Sequence, residues 1–308
     1  MKKLFIPLAV FAVFVGVTSC TGKEEEAVET PQPSTVEVGD SPIGVEFDGS
    51  SIWVANSVSN TVSKIDPKTN KVTATVDVGK SPRRIGFDGS SIWVANAMDN
   101  TLSKIDPATN KITATVPVGK GPIGVGFDGS SIWVANSEDN TASKVDPESN
   151  TVTATVAVGE FPDGVGFDGS SIWVSNNNPG TVSKIDPATN TVTATVQVGG
   201  EPRRVGFDGS SIWVANYDDA TVSKIDPKTD TVTATVDVGQ DPIGVGFDGK
   251  CIWVTNRRDG TVSRIDPKTN KVTATVEVGR SPYGVAFDGT NLWISNYDDA
   301  TVSKIELG

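Results

Sequence analysis

The stretch from Pro122 to Gly159, PIGVGFDGSSIWVANSEDNTASKVDPESNTVTATVAVG, decides the fold. It divides into four short runs rich in Val, Ile, Thr and Trp: Val125 to Phe127, Ile132 to Asn136, Thr141 to Val145 and Thr151 to Val158. β-Branched and aromatic residues at this density, bounded by turn residues, predict strands. Asp128 and Gly129 open a tight turn after the first run. Asp146 and Pro147 open another after the third, where Pro presets φ and Asn150 accepts the left-handed conformation. Every connection is short enough for a hairpin, so the stretch predicts one four-stranded antiparallel sheet.

Outward from this stretch the same text recurs. Trp133 has counterparts at Trp53, Trp93, Trp173, Trp213, Trp253 and Trp293, all at an interval of 40, and the chain has no other Trp. The recurring Gly and Pro forbid the long amphipathic runs of a helical solenoid. A radially repeated blade remains, giving an all-β, seven-bladed β-propeller with four strands per blade. The blades fall near 41–80, 81–120, 121–160, 161–200, 201–240, 241–280 and 281–308. The last stops after its third strand, and STVEVG at Ser34 to Gly39 aligns with ATVDVG at Ala74 to Gly79. The N-terminal segment is therefore expected to complete blade seven and close the ring.

Alternation in the second strand sends Ile132, Val134 and Asn136 to one neighbouring blade and Trp133 and Ala135 to the other, so both faces are buried. The tryptophans are expected to fill the space between blades. Gly124, Gly126, Gly164 and Gly166 suit a crowded axis where backbones converge. Thr73, Thr75, Thr113 and Thr115 mark the fourth strand as the exposed outer edge. The Asp of each FDG and the Asn at Asn56, Asn96 and their counterparts recur in all seven units, which assigns them to turns and blade stability rather than to one catalytic centre.

Residues 1–19 have Lys2, Lys3 and an apolar run from Leu4 to Val17, too short to span a membrane, and predict an export signal. Val17, Thr18, Ser19 and Cys20 resemble a bacterial lipobox, which implies cleavage before Cys20 and a lipid on its sulfur. The expected partner of that end is a membrane, and the expected location is the bacterial cell envelope, periplasm-facing or surface-exposed. Thr21 resembles residues that permit outward sorting. TGKEEEAVETPQP, Thr21 to Pro33, is expected to be a solvated tether. The chain has two cysteines, Cys20 and Cys251, so lipid on Cys20 is expected to rule out an intrachain disulfide.

The chain carries 26 basic and 38 acidic side chains, a formal charge of −12, and no His. Without Lys2 and Lys3 the count is 24 against 38, or −14. Such a field repels phosphate backbones, so nucleic acid is not an expected partner. Phosphate loops, a Ser nucleophile elbow and Cys/His clusters are all missing from the sequence, and no cofactor or metal is expected.

SIWVAN, NTVSKIDP, TVTATV and VGxxPxGV resemble the 40-residue YVTN-type β-propeller repeat over Ser34 to Gly308. The resemblance implies bacterial surface and periplasmic propellers that mostly bind rather than catalyse. A more distant resemblance is to streptogramin lyases, whose elimination uses a His and a bound magnesium ion; this chain has no His to supply.

Comparing the seven units locates a candidate site. The face with the first-to-second and third-to-fourth turns is nearly uniform: FDGSS recurs in five units and IDP or VDP in six. The opposite face varies, its second-to-third loops reading SVSN, AMDN, SEDN, NNPG, YDDA, RRDG and YDDA. Ile43 and Gly44 become Arg83 and Arg84 in blade two and Arg203 and Arg204 in blade five. These arginines are expected at the mouth of the central channel, roughly across the axis from each other, with Arg257 and Arg258 beside them. Guanidinium forks there fit an anion or carboxylate; pairing with Asp163 or Glu201 is the alternative. Tyr217, Tyr283 and Tyr297 lie on the same face. Glu46 is a lone carboxylate near the axis, and the pairs Asp218–Asp219 and Asp298–Asp299 lack the spacing of a cation loop.

The expectation is a lipid-anchored, monomeric, non-catalytic propeller whose variable face binds an anionic small ligand or an envelope protein. The alternatives are a metal-dependent lyase or lactonase-like hydrolase over the channel, and a structural envelope protein.

Overall fold

The structure is a computed structural model that describes residues 33–307. The leader, Cys20 and the tether as far as residue 32 lie outside the described residues. The rest forms seven four-stranded antiparallel sheets. In blade three the strands are Pro122–Phe127, Ile132–Asn136, Thr141–Asp146 and Thr151–Ala157, so the innermost strand starts three residues earlier than composition indicated. Blade seven combines Pro282–Phe287, Asn291–Asn296 and Thr301–Glu306 with Ser34–Glu37. Ser34 pairs with Lys304 and Glu37 with Thr301, so the N-terminal strand closes the ring as the internal alignment predicts.

The core lies between blades. Trp93 and Ala95 of blade two pack against Ile132 and Val134 of blade three. The same division recurs from Trp53 and Ala55 to Ile92 and Val94, and from Trp293 to Ile52 and Val54 across the closure. Six of the seven tryptophans have no exposed surface and Trp253 has 3 %.

Each buried indole is also held by two polar contacts. The FDG aspartate accepts its N–H, as from Trp133 Nε1 to Asp128 Oδ2 at 2.8 Å, while Asp128 Oδ1 accepts the backbone N–H groups of Ser130 and Ser131. Burial opposes ionisation of Asp128, but the indole and the turn N–H groups outweigh it and hold the carboxyl below its usual range. On the ring face Lys144 Nζ lies 5.5 Å from the Trp133 centroid and donates to Pro187 O of the next blade at 2.7 Å. Lys304 does the same from blade seven to Pro67 of blade one. The recurring Asn fastens strands: Asn136 Nδ2 donates to Thr141 Oγ1 and Ser143 Oγ. The sevenfold residues are thus structural, as their recurrence implies.

Every innermost strand carries a β-bulge between its Pro and the residue three positions on. Pro82 faces Asn96 while Ile85 faces Val94, so one extra residue is accommodated at 83–84. A bulge re-aims side chains that the ladder would fix, and both arginine pairs sit in one. At the second bulge position a Cβ on Gly124 would collide with the backbone oxygen of Asp163 in the next blade, which is why most blades have Gly there.

Candidate functional site

The channel mouth is built from the bulges of the innermost strands and the variable loops around them. Arg84 of blade two reaches Asp163 of blade four, Nη2 to Oδ1 at 3.3 Å, and Arg203 of blade five donates through Nη1 to the other oxygen of Asp163 at 3.3 Å. Arg84 and Asp163 are each only 5 % exposed. Arg203 also holds Glu201, Nη2 to Oε2 at 2.7 Å. Both of the expected carboxylates are therefore engaged, yet by Arg203 and Arg84; Arg83 has no ion pair among the described residues.

From Arg203 the contacts continue as alternating guanidinium and phenol groups. The Arg203 guanidinium lies 4.9 Å from the Tyr217 ring centroid. Tyr217 accepts a hydrogen bond from Arg257 Nη1 and donates to Asp241 Oδ2, both at 3.1 Å. Arg257 lies 5.8 Å from the Tyr283 centroid, and Tyr283 meets Tyr297 at 5.3 Å with a 38° tilt. Arg258 turns outward, its side chain 70 % exposed, and pairs with Asp241 at 3.3 Å. The array joins blades two, four, five, six and seven.

Backbone contacts fix its members. Ser175 Oγ donates to the carbonyl of Arg203 and accepts from Gly164 N, and Thr255 Oγ1 likewise bridges Tyr283 O and Gly244 N at 3.0 and 2.7 Å. These hydroxyls replace the Ala found at Ala55, Ala95, Ala135 and Ala215.

Electrostatics couple the mouth to the channel below it. Burial opposes the charge of Arg203, but Asp163 and Glu201 outweigh it and hold the guanidinium above its usual range. Arg204, partly open to the channel yet deep in the protein, is pushed down to about 10 by burial and by repulsion from Arg84, with Glu46 and Asp163 opposing. Burial raises Glu46 to about 7 against the pull of Arg204. Burial also raises Tyr283, while Arg257, Arg203, Arg84 and Arg83 pull it the other way, which places Arg83 in the same cluster.

The acidic loop pairs do other work. Asp219 Oδ2 accepts from Gly200 N at 2.8 Å, Asp299 Oδ2 from Arg280 N at 2.6 Å, and Asp298 Oδ2 from Ser281 Oγ. They fasten each second-to-third loop to the connection entering its blade. Among the described residues, His, Cys, Asp and Glu nowhere gather in threes that would hold a metal.

Comparison with known proteins bears on this scaffold. Residues 32–128 match the family model described as YNCE-like beta-propeller. No curated protein matches the chain in sequence. Among solved structures the chain is similar to Kuenenia stuttgartiensis hydrazine synthase, at 20 % identity and a TM-score of 0.77, over 93 % of this chain and 98 % of that chain. At that identity the likeness is one of fold alone.

Sequence reasoning passed over Asp163 as a hub and the coupling of Glu46 to Arg204. Both acids are single-blade departures at positions otherwise held by other residue types, the same signal that singled out the arginines. It also passed over Val58, Met98 and Phe161, the most exposed large hydrophobic residues among those described, at 60, 75 and 55 %. All three lie on the variable face, and Phe161 has φ of 50°, a strained value for a bulky side chain.

Proposed function

We propose that this chain is a non-catalytic binding protein of the bacterial cell envelope that holds its ligand at the channel mouth of the variable face. One observation carries the reading. On a scaffold repeated almost verbatim seven times, departures converge on a single array of arginines and tyrosines, half-buried or buried, from four different blades, with Asp163 from a fifth. Arginine and tyrosine are the residue types that dominate binding hot spots, and pre-organisation by Asp163, Ser175 and Thr255 lowers the ordering cost of binding.

In this reading the lipobox at Cys20 anchors the chain. The Ser34 end of the closing strand lies opposite Lys304, toward the uniform face, because Glu37 faces Thr301 beside the variable loop. A tether attached there leaves the variable face free to point away from the membrane. The segment from Cys20 to Pro33 can reach at most about 45 Å when extended. Replacing Cys20 with Ala should release the protein from the detergent-rich phase; unchanged partitioning would contradict the anchor.

The binding claim is tested by a thermal-shift screen of the full chain against organic anions, envelope glycans and divalent metals, with and without EDTA. A ligand shift lost in Arg83→Ala is the expected result. A shift that survives this change and Arg257→Ala would place the site elsewhere.

A second reading, a protein partner on the same face, is favoured by the exposed Val58, Met98 and Phe161. It predicts that Met98→Glu and Phe161→Glu weaken the partner while leaving small-ligand shifts unchanged.

A further inference from the structure

Ten buried side-chain polar atoms of the described residues have no hydrogen-bond partner in the protein. Six are Asn carbonyl oxygens distributed over blades one to four. The four donors are Arg83 Nε, Arg84 Nη1, Arg203 Nε and Arg257 Nε, and all four belong to the channel mouth. A buried donor without an acceptor costs free energy that a bound oxygen restores. Four such donors in one place call for a ligand carrying several acceptor oxygens, and on guanidinium groups the best acceptors are anionic.

The charge count sets the ligand's charge. Arg83, Arg84, Arg203, Arg204 and Arg257 bring five guanidinium groups to the mouth and upper channel, and Glu46, Asp163 and Glu201 bring three carboxylates. Asp241 is engaged by Arg258 and Tyr217. The cluster is therefore short of two negative charges with Glu46 ionised and of three with Glu46 protonated, so at least two, within a chain whose net charge is −12. Asp163 holds one amino group of Arg84 and one of Arg203, which leaves Arg84 Nη1 and Arg203 Nε as the groups without an acceptor.

Resting on the binding-protein reading above, we infer that the mouth takes a small organic dianion, its oxygens accepting from Arg83 and Arg84 on one side and from Arg203 and Arg257 on the other. Tyr217 and Tyr283 wall the site between the guanidinium groups. Two carboxylates on a short chain and a single phosphate monoester share this chemistry.

Isothermal titration of the full chain near neutral pH with malonate, succinate, inorganic phosphate, glycerol phosphate and acetate tests the inference. At least one dianion should bind saturably at one site and about tenfold or more tighter than acetate. Arg83→Gln, and independently Arg257→Gln, should weaken it by about tenfold. Arg280→Gln, which alters an exposed pair with Asp299, should change nothing. Binding of malonate or succinate alone identifies a dicarboxylate, and binding of the phosphates alone identifies a phosphate monoester. Acetate or a neutral glycan bound as tightly, and lost in Arg83→Gln, would overturn the dianion while leaving the mouth as the site. Dianion binding that ignores both arginine changes, or no binding by the wild type, would overturn the inference itself.

Discussion

Arg84 and Asp163, two blades apart around the ring, meet at 3.3 Å with each only 5 % exposed. Taking two charges out of water is expensive, and their attraction often only breaks even with an apolar pair of the same size. Four of the seven blades have Ile or Tyr, not a charge, at the position of Asp163, and five have Gly at that of Arg84. The pair departs from a repeat that packs well without it, which fits retention for binding rather than for stability.

This yields a stability prediction. Asp163→Asn leaves the Arg84 guanidinium buried without its carboxylate and should cost about 3 kcal/mol in urea unfolding. The double change Arg84→Gly with Asp163→Ile restores residues the repeat uses elsewhere and should recover most of that loss or exceed the wild type. A double variant as unstable as the single one would mean that the pair is a structural requirement.

The indole fastening gives a second. Asp128→Asn substitutes an N–H for one acceptor oxygen beside the Trp133 indole or the turn amides, and should lower stability by about 1–3 kcal/mol. Trp133→Ala removes the largest filler between blades three and four and should cost about 3–5 kcal/mol. Equal, small effects from both would argue against the inter-blade core.

Glu46 makes stability depend on pH. Its folded value of about 7 stands above the ordinary 4.5, so between these values the folded state retains a proton that the unfolded chain has released. Stability contributed by the neutral carboxyl is therefore lost as pH rises through that window, in full above about pH 7 and not at all below about pH 4.5. The upper limit is on the order of 3 kcal/mol, reduced by water in the channel. Glu46→Gln should gain on the wild type between about pH 5 and 8 in paired urea titrations; a constant difference would show that Glu46 ionises normally.

Ring closure is open to a direct test. Val36, 5 % exposed, packs with Trp293 and Val302 beneath the closing strand. Deleting residues 34–39 exposes the edge at Thr301–Glu306 and should lower the melting temperature and promote self-association through the free edge. A variant that melts like the full chain as a monomer would contradict the closure.

The fold was legible because one supersecondary pattern repeats seven times: Trp133 and Asn136 could be assigned to structure merely because each has six counterparts. Repetition also exposed the arginines as departures. What it did not reveal is direction and partnership. Register counting treats an innermost strand as an unbroken ladder, so the bulge that turns residues 83–84 and 203–204 toward the channel was invisible. The meeting of Arg84 with Asp163 is a contact across the axis, 79 residues apart, that no local pattern encodes. Nor does the sequence distinguish Arg203, tied to Asp163 and Glu201, from Arg83, which has no ion pair among the described residues.

The most direct test of the channel-mouth site is an NMR titration that follows the arginine Nε–H signals, of which the sequence offers only eight. With malonate or phosphate added to the full chain, the account predicts saturable shifts of Arg83, Arg203 and Arg257 while Arg280 stays in place. Movement of Arg280 alone, or no movement at the three buried Nε–H groups while the ligand binds, would contradict it.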